Sequence, residues 1–122
     1  MSKILLVDDS STIRTQLRQV LEKEGYVIIE GEDGLDGLRK LEENKDVALI
    51  ICDVNMPNMD GITMCEKVFE TEGSVKIPKF MLTTEANKDL KERAKAAGVV
   101  AWVAKPCSGE KLTAVIKKVL ER

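Results

Sequence analysis

Two adjacent acids, Asp8 and Asp9, close the apolar run Ile4–Val7. A third, Asp53, closes the apolar run Val47–Cys52. Like charges at neighbouring positions repel, and the end of a buried run is a poor place to leave them. A hard divalent cation with oxygen ligands removes that conflict. Mg²⁺ suits a site made of a few carboxylates, waters and a phosphate. Two more chemically useful residues sit at the ends of later apolar runs: Thr83 in "LTTE" and Lys105 in "AWVAKPC". A carboxylate that attacks phosphorus needs positive charge and hydroxyl donors on the phosphoryl oxygens. Asp53, Lys105 and Thr83 are the right types for nucleophile, cation and donor, if the fold gathers them.

The elements that must do so are visible in the hydrophobic pattern. Five short apolar runs, Ile4–Val7, Val27–Ile29, Val47–Cys52, Phe80–Leu82 and Val99–Val103, alternate with five stretches of helical period. Most runs are continuous, as expected of strands covered on both faces. Pro78 is compatible only with the very start of the fourth strand. The helical stretches carry Ile13, Leu17, Val20 and Leu21, then Leu35, Leu38 and Leu41. The third helix, about Gly61–Thr71, carries Ile62, Cys65, Val68 and Phe69. The last carries Leu112, Val115, Ile116, Val119 and Leu120. Ser10 or Ser11, Asp60 and Ser108 are N-cap candidates. Gly25 and Gly98 fall where helices should stop.

Five strand–helix units predict an α/β fold: a five-stranded doubly wound parallel sheet of order 2-1-3-4-5, flavodoxin-like. In that order ligands bind where strands one and three diverge. Asp8, Asp9 and Asp53 all end there, with Thr83 and Lys105 on the same edge.

Bulk properties exclude several functions. The 122 residues predict one domain, 1–122, with no output domain attached. A net charge of −2 gives no footprint for nucleic acid or an anionic membrane, and the first apolar stretch is too short to span one. A cytoplasmic, monomeric protein is expected. Its cysteines, Cys52, Cys65 and Cys107, share no metal-ligand spacing and read as reduced structural thiols. The chain has no histidine, which removes Ser-His-Asp and Cys-His catalysis and phosphohistidine chemistry. Phosphoryl transfer would have to use a carboxylate or a hydroxyl.

"LLVDDS", "DVNMPNMDG", "LTTEA" and "KP" resemble the receiver domain of two-component response regulators, in order and over essentially the whole chain, closest to the single-domain chemotaxis type. The resemblance implies that Asp53 accepts phosphate from a histidine kinase or a small donor. It implies Mg²⁺ held by Asp8, Asp9, Asp53 and the backbone carbonyl of Asn55. Lys105 would contact the phosphoryl group, and the Lys105–Pro106 peptide would be cis. Thr83 would be the switch hydroxyl. Trp102 stands where the family usually has tyrosine or phenylalanine as the switch aromatic. Asn55 and Glu85 match positions that tune self-hydrolysis. Such a protein is not an enzyme beyond its own phosphorylation and dephosphorylation. It would signal through the face of the fourth helix, fifth strand and fifth helix to an effector such as a flagellar motor switch, and a phosphatase is a further expected partner. A phosphate sink, a regulator of a non-motile target, a small phosphatase with an Asp nucleophile and a flavodoxin-like electron carrier remain alternatives.

Overall fold

The computed structural model describes residues 2–73 and 76–120. Strands β1 (Lys3–Val7), β2 (Val27–Gly31), β3 (Val47–Cys52), β4 (Lys79–Thr83) and β5 (Val99–Ala104) alternate with helices α1 (Ser11–Lys23), α2 (Gly34–Glu43), α3 (Gly61–Thr71), α4 (Lys88–Ala96) and α5 (Gly109–Leu120). All strand pairs are parallel and the order is β2-β1-β3-β4-β5, the arrangement expected from the sequence. β3 coincides with its apolar run, and the other strands extend a residue or two beyond theirs. Their register is irregular between Lys3 and Ile4 and between Lys79 and Phe80.

Alternation along the strands divides the core in two, because successive side chains leave opposite faces of a sheet. Ile4, Leu6, Leu49, Ile51, Phe80 and Leu82 pack against Leu17 and Leu21 of α1 and Leu112 and Ile116 of α5. On the other face Leu5, Val7, Ile50, Cys52 and Met81 meet Ile62, Met64, Cys65 and Val68 of α3 and Ala94 of α4. The interior strand β1 is therefore apolar at every position from Ile4 to Val7, and all four side chains are buried. Each such side chain contributes about 2 kcal/mol of burial.

Helix α2 departs from the sequence expectation. Leu35 was assigned to its apolar stripe with Leu38 and Leu41, yet Leu35 is 52% exposed. The buried positions are Gly34 and Gly37, with Leu38 and Leu41 half-buried. A Cβ on Gly37 would lie 2.6 Å from Met64 Sδ of α3 and 3.1 Å from Val7 of β1, so this helix approaches both α3 and the sheet through a glycine. The stripe is Gly34, Gly37, Leu38 and Leu41, still at helical spacing but out of phase with Leu35. Helix α4 is the least anchored: Ala94 and Ala97 are buried and Leu90 is half-buried. A bidentate ion pair adds to that hold, with Arg93 Nε and NH2 donating to Glu66 of α3 at 2.9 and 2.7 Å.

Helix starts are capped as the sequence suggests at Ser10, Asp60 and Ser108, whose side chains accept from the backbone N–H of Ile13, Thr63 and Lys111. Asp33 and Asn87 cap α2 and α4 in the same way. Gly25 and Gly98 follow α1 and α4 with φ of 94° and 88°, the left-handed region in which glycine carries no steric cost. Burial works against the Asp60 carboxylate, but the Thr63 N–H and hydroxyl outweigh it and hold its pKa below the ordinary 3.8. The Asp36 N–H, with Asn58, does the same for Asp33. A depressed folded-state pKa means the unfolded chain takes up protons first as pH falls. The stabilisation from these caps is thus complete above about pH 5 and drains away below about pH 4. Urea unfolding of Asp60→Ala should show a deficit of about 1 kcal/mol at pH 7. That deficit should shrink as pH falls from 5 to 3.

Candidate functional site

The carboxyl ends of β1 and β3 lie side by side, with Asp53 N–H donating to Val7 O at 3.1 Å. This adjacency brings together Asp8, Asp9 and Asp53, which offer one carboxylate oxygen each within 4.8 Å of one another. Asp8 and Asp53 are buried and Asp9 is exposed, so the cluster is a shallow cup open to solvent at one side. Asp8 Oδ1 accepts from Ser10 N at 2.9 Å, tying the acid pair to the start of α1. Asp53 Oδ1 accepts from Val54 N at 2.7 Å.

Lys105 reaches this cup from the end of β5. Its Nζ donates to Asp8 Oδ2 and to Asp53 Oδ2, each at 2.7 Å. Burial alone would lower the lysine pKa, but the two carboxylates outweigh it and hold it above the ordinary 10.5. The peptide that follows, Lys105–Pro106, is cis. Lys105 was expected to meet a phosphoryl group; here it bridges two of the three acids, as the strongest local cation should. Three carboxylates and one ammonium leave two formal negative charges, and the donors are hard oxygens. That set fits a small dication, and the residues able to hold it are Asp8, Asp9 and Asp53.

The remaining predicted residues form a second group at the end of β4. Thr83 is fully buried, and its Oγ1 accepts from Glu85 N at 3.2 Å. The Glu85 carbonyl accepts from Trp102 Nε1 at 2.9 Å, and its side chain accepts from Asn55 Nδ2 at 2.9 Å. Glu85 thus links Thr83, Trp102 and Asn55 through three different atoms. Sequence reasoning placed Asn55 and Glu85 beside the chemistry but did not anticipate this hub. The half-buried Trp102 indole also lies beneath Lys91, whose Nζ is 5.7 Å from the ring centroid.

Two features at the same edge had no sequence assignment. Gly61 stands so close to Asp53 that a Cβ would lie 1.8 Å from the Asp53 carbonyl oxygen. Asn58, in the turn sequence "MPN", has φ of 67° and donates to Asp33 Oδ2 at 2.7 Å. Asparagine after proline in a turn is a recognisable signal for such a backbone. Beside Lys105 lies a recess of about 370 Å³, lined by Ile13, Leu17, Leu82, Thr84, Pro106 and Cys107. Cys52 and Cys65 are buried free thiols with Sγ atoms 3.7 Å apart. Their contact and burial push the Cys52 thiol well above its ordinary pKa, as expected of inert structural cysteines.

Residues 4–117 match the response regulator receiver domain family. The chain is a response regulator receiver domain. It is 37% identical over 119 residues to chemotaxis protein CheY1 of Helicobacter pylori, covering 97% of this chain and 96% of that protein. Among solved structures, chemotaxis protein CheY4 of Vibrio cholerae superposes with a TM-score of 0.91 at 36% identity, covering 98% of this chain and 99% of that one. A CheY-like receiver domain of Methanospirillum hungatei gives 0.92 at 30% identity, over 99% and 94% of the two chains. The receiver therefore belongs to two-component signalling and is of the CheY-like type. Among the described residues, no helix of this receiver is long and apolar enough to cross a membrane.

Proposed function

We propose that residues 1–122 act as a single receiver unit that takes a phosphoryl group on Asp53 and passes the change to another protein by contact. The observation that carries this reading is Lys105 bridging Asp8 and Asp53 within a three-carboxylate cup. A carboxylate oxygen of Asp53 attacks phosphorus; an O–P bond forms and the N–P bond of a phosphohistidine, or the O–P bond of an acyl phosphate, breaks. The donor's leaving group departs with the electron pair. Lys105 is within reach to follow the new negative charge, exchanging Asp53 Oδ2 for a phosphoryl oxygen. Asp8, Asp9, Asp53 and the Asn55 carbonyl would hold Mg²⁺, which supplies the positive charge that lets two anions approach. The apolar recess beside Lys105 gives a phosphodonor protein room to seat an apolar side chain next to the acceptor.

Thr83 carries the change outward. When its hydroxyl turns to donate to a phosphoryl oxygen, it loses its present geometry toward Glu85 N–H, and Glu85, whose carbonyl accepts from Trp102, is freed to move. Helix α4, held by two alanines, Leu90 and the Arg93–Glu66 pair, is the element with least to lose from a shift. Its Lys88, Lys91 and Lys95, beside Trp102 and the Lys111 and Lys118 side of α5, form the surface offered to an effector. Resemblance to chemotaxis receivers favours a flagellar motor component as that effector. Asn55 and Glu85, joined by a hydrogen bond, would meet water approaching the acyl phosphate and so tune self-hydrolysis.

Phosphorylation by a small acyl phosphate tests this reading, followed through Trp102 emission. The emission should change with first-order kinetics, saturate with donor and require Mg²⁺. An emission unmoved by donor in the presence of Mg²⁺, with no mass added to the protein, would overturn it.

A further inference from the structure

The loop between β3 and α3 carries Asn55 and so decides where one of the proposed cation ligands points. Its base closes on itself through Gly61 N–H to Val54 O at 3.0 Å. Its outer part is held by a different unit, the turn between β2 and α2. Asn58 Nδ2 donates to Asp33 Oδ2 at 2.7 Å, and Gly34 N–H donates to Met59 O at 3.1 Å. The two backbones are so close that a Cβ on Gly34 would lie 2.6 Å from the Met59 oxygen. Asp33 divides its carboxylate between tasks, since Oδ1 accepts from Asp36 N at 2.8 Å and caps α2. It is only 8% exposed and stands outside the group Asp8, Asp9 and Asp53. Asn58 holds a left-handed backbone, which costs a non-glycine residue energy and persists where its surroundings impose it.

A buried carboxylate, an asparagine in the left-handed region and a backbone bond converge on the loop that carries both Asp53 and Asn55. A helix cap alone explains neither Oδ2 nor Asn58. We propose that Asp33 and Asn58 are positioning residues: their hydrogen bond fixes the path of the β3–α3 loop and thereby sets the Mg²⁺ affinity of a site that neither residue touches. This inference rests on the reading of the acidic cup as a Mg²⁺ site.

The test is Mg²⁺ titration by calorimetry, with urea unfolding in parallel. Asn58→Gly removes the side chain while keeping a residue suited to positive φ. Asp33→Ser keeps an N-cap for α2 but is too short to reach Asn58. Each variant should bind Mg²⁺ about tenfold more weakly, the usual scale for a group that orients a ligand. The double variant should be no weaker than either single one. Phosphorylation by acyl phosphate should need correspondingly more Mg²⁺, with its rate at saturating Mg²⁺ close to wild type. Asn58→Gly should unfold at the wild-type urea concentration or above it. Variants that bind Mg²⁺ as tightly as wild type would overturn the latch and leave the Mg²⁺ site standing. Additive losses in the double variant would overturn it too, by showing two unrelated structural effects. A wild-type protein that binds no Mg²⁺ would instead remove the reading on which the latch rests.

Discussion

Lys105→Met is expected to destabilise the Mg²⁺-free protein by about 2–3 kcal/mol, because removing one partner of a buried ion pair leaves the other charge uncompensated. The scale is set below that of fully buried pairs because the Lys105 side chain keeps 13% of its exposure, against 4% for Asp8 and 12% for Asp53. Without the ammonium, Asp8 and Asp53 face one another and Asp9 with no cation among them. Methionine fills the apolar stem of lysine without its charge, so packing contributes little to the loss. Millimolar Mg²⁺ should return most of the deficit, since a ligand that binds the folded state stabilises it by mass action. Urea midpoints with and without Mg²⁺ read both effects. The Mg²⁺ dependence should also be larger in Lys105→Met than in wild type, where the lysine already neutralises part of the cup. A variant as stable as wild type in chelator would show that the bridge at 2.7 Å carries no net stabilisation.

Thr83→Val is the second large effect expected. Valine keeps the shape of the fully buried Thr83 but removes its hydroxyl, so the link to Glu85 N–H is cut at a cost of about 1 kcal/mol, small enough for the fold to be retained. Phosphorylation should still proceed, more slowly, because Asp53, Lys105 and the acid pair remain while one donor to the phosphoryl oxygens is lost. The Trp102 emission change should fall to less than about a tenth of wild type, because the coupling between acceptor and aromatic runs through this hydroxyl. Paired measurements of added mass and emission in one sample separate uptake from its transmission. A full emission change in Thr83→Val would mean that Trp102 senses the phosphoryl group by another path, the Asn55–Glu85 bond being the nearest.

The sequence disclosed the architecture because most strands are apolar on both faces and alternate with helical stretches. The strand order and chain connectivity then fix which ends meet. The acids after β1 and β3 could be gathered from that order alone, before any distance was known. What escaped was phase and pairing. Helical spacing says that α2 has an apolar stripe but cannot say that glycines hold it to the sheet, and so Leu35 was assigned inward when it faces out. Glu85 was recognisable as a neighbour of the chemistry, yet its role as hub depends on a backbone N–H and carbonyl, which every residue has. The Asp33–Asn58 bond joins residues 25 apart in sequence across two loops, beyond the reach of any periodic signal. Lys105 could be placed at the cup from its position on β5. Which acids it would bridge follows only from geometry.

The central claim is that Asp53 accepts a phosphoryl group in a cup that needs Mg²⁺. Intact mass after incubation with a small acyl phosphate tests it most directly, on wild type and Asp53→Asn, with Mg²⁺ and with chelator. The account predicts one phosphoryl group on wild type with Mg²⁺ and none in the other three samples. An equal gain in mass on Asp53→Asn, or a wild-type protein that gains none with Mg²⁺ present, would contradict it.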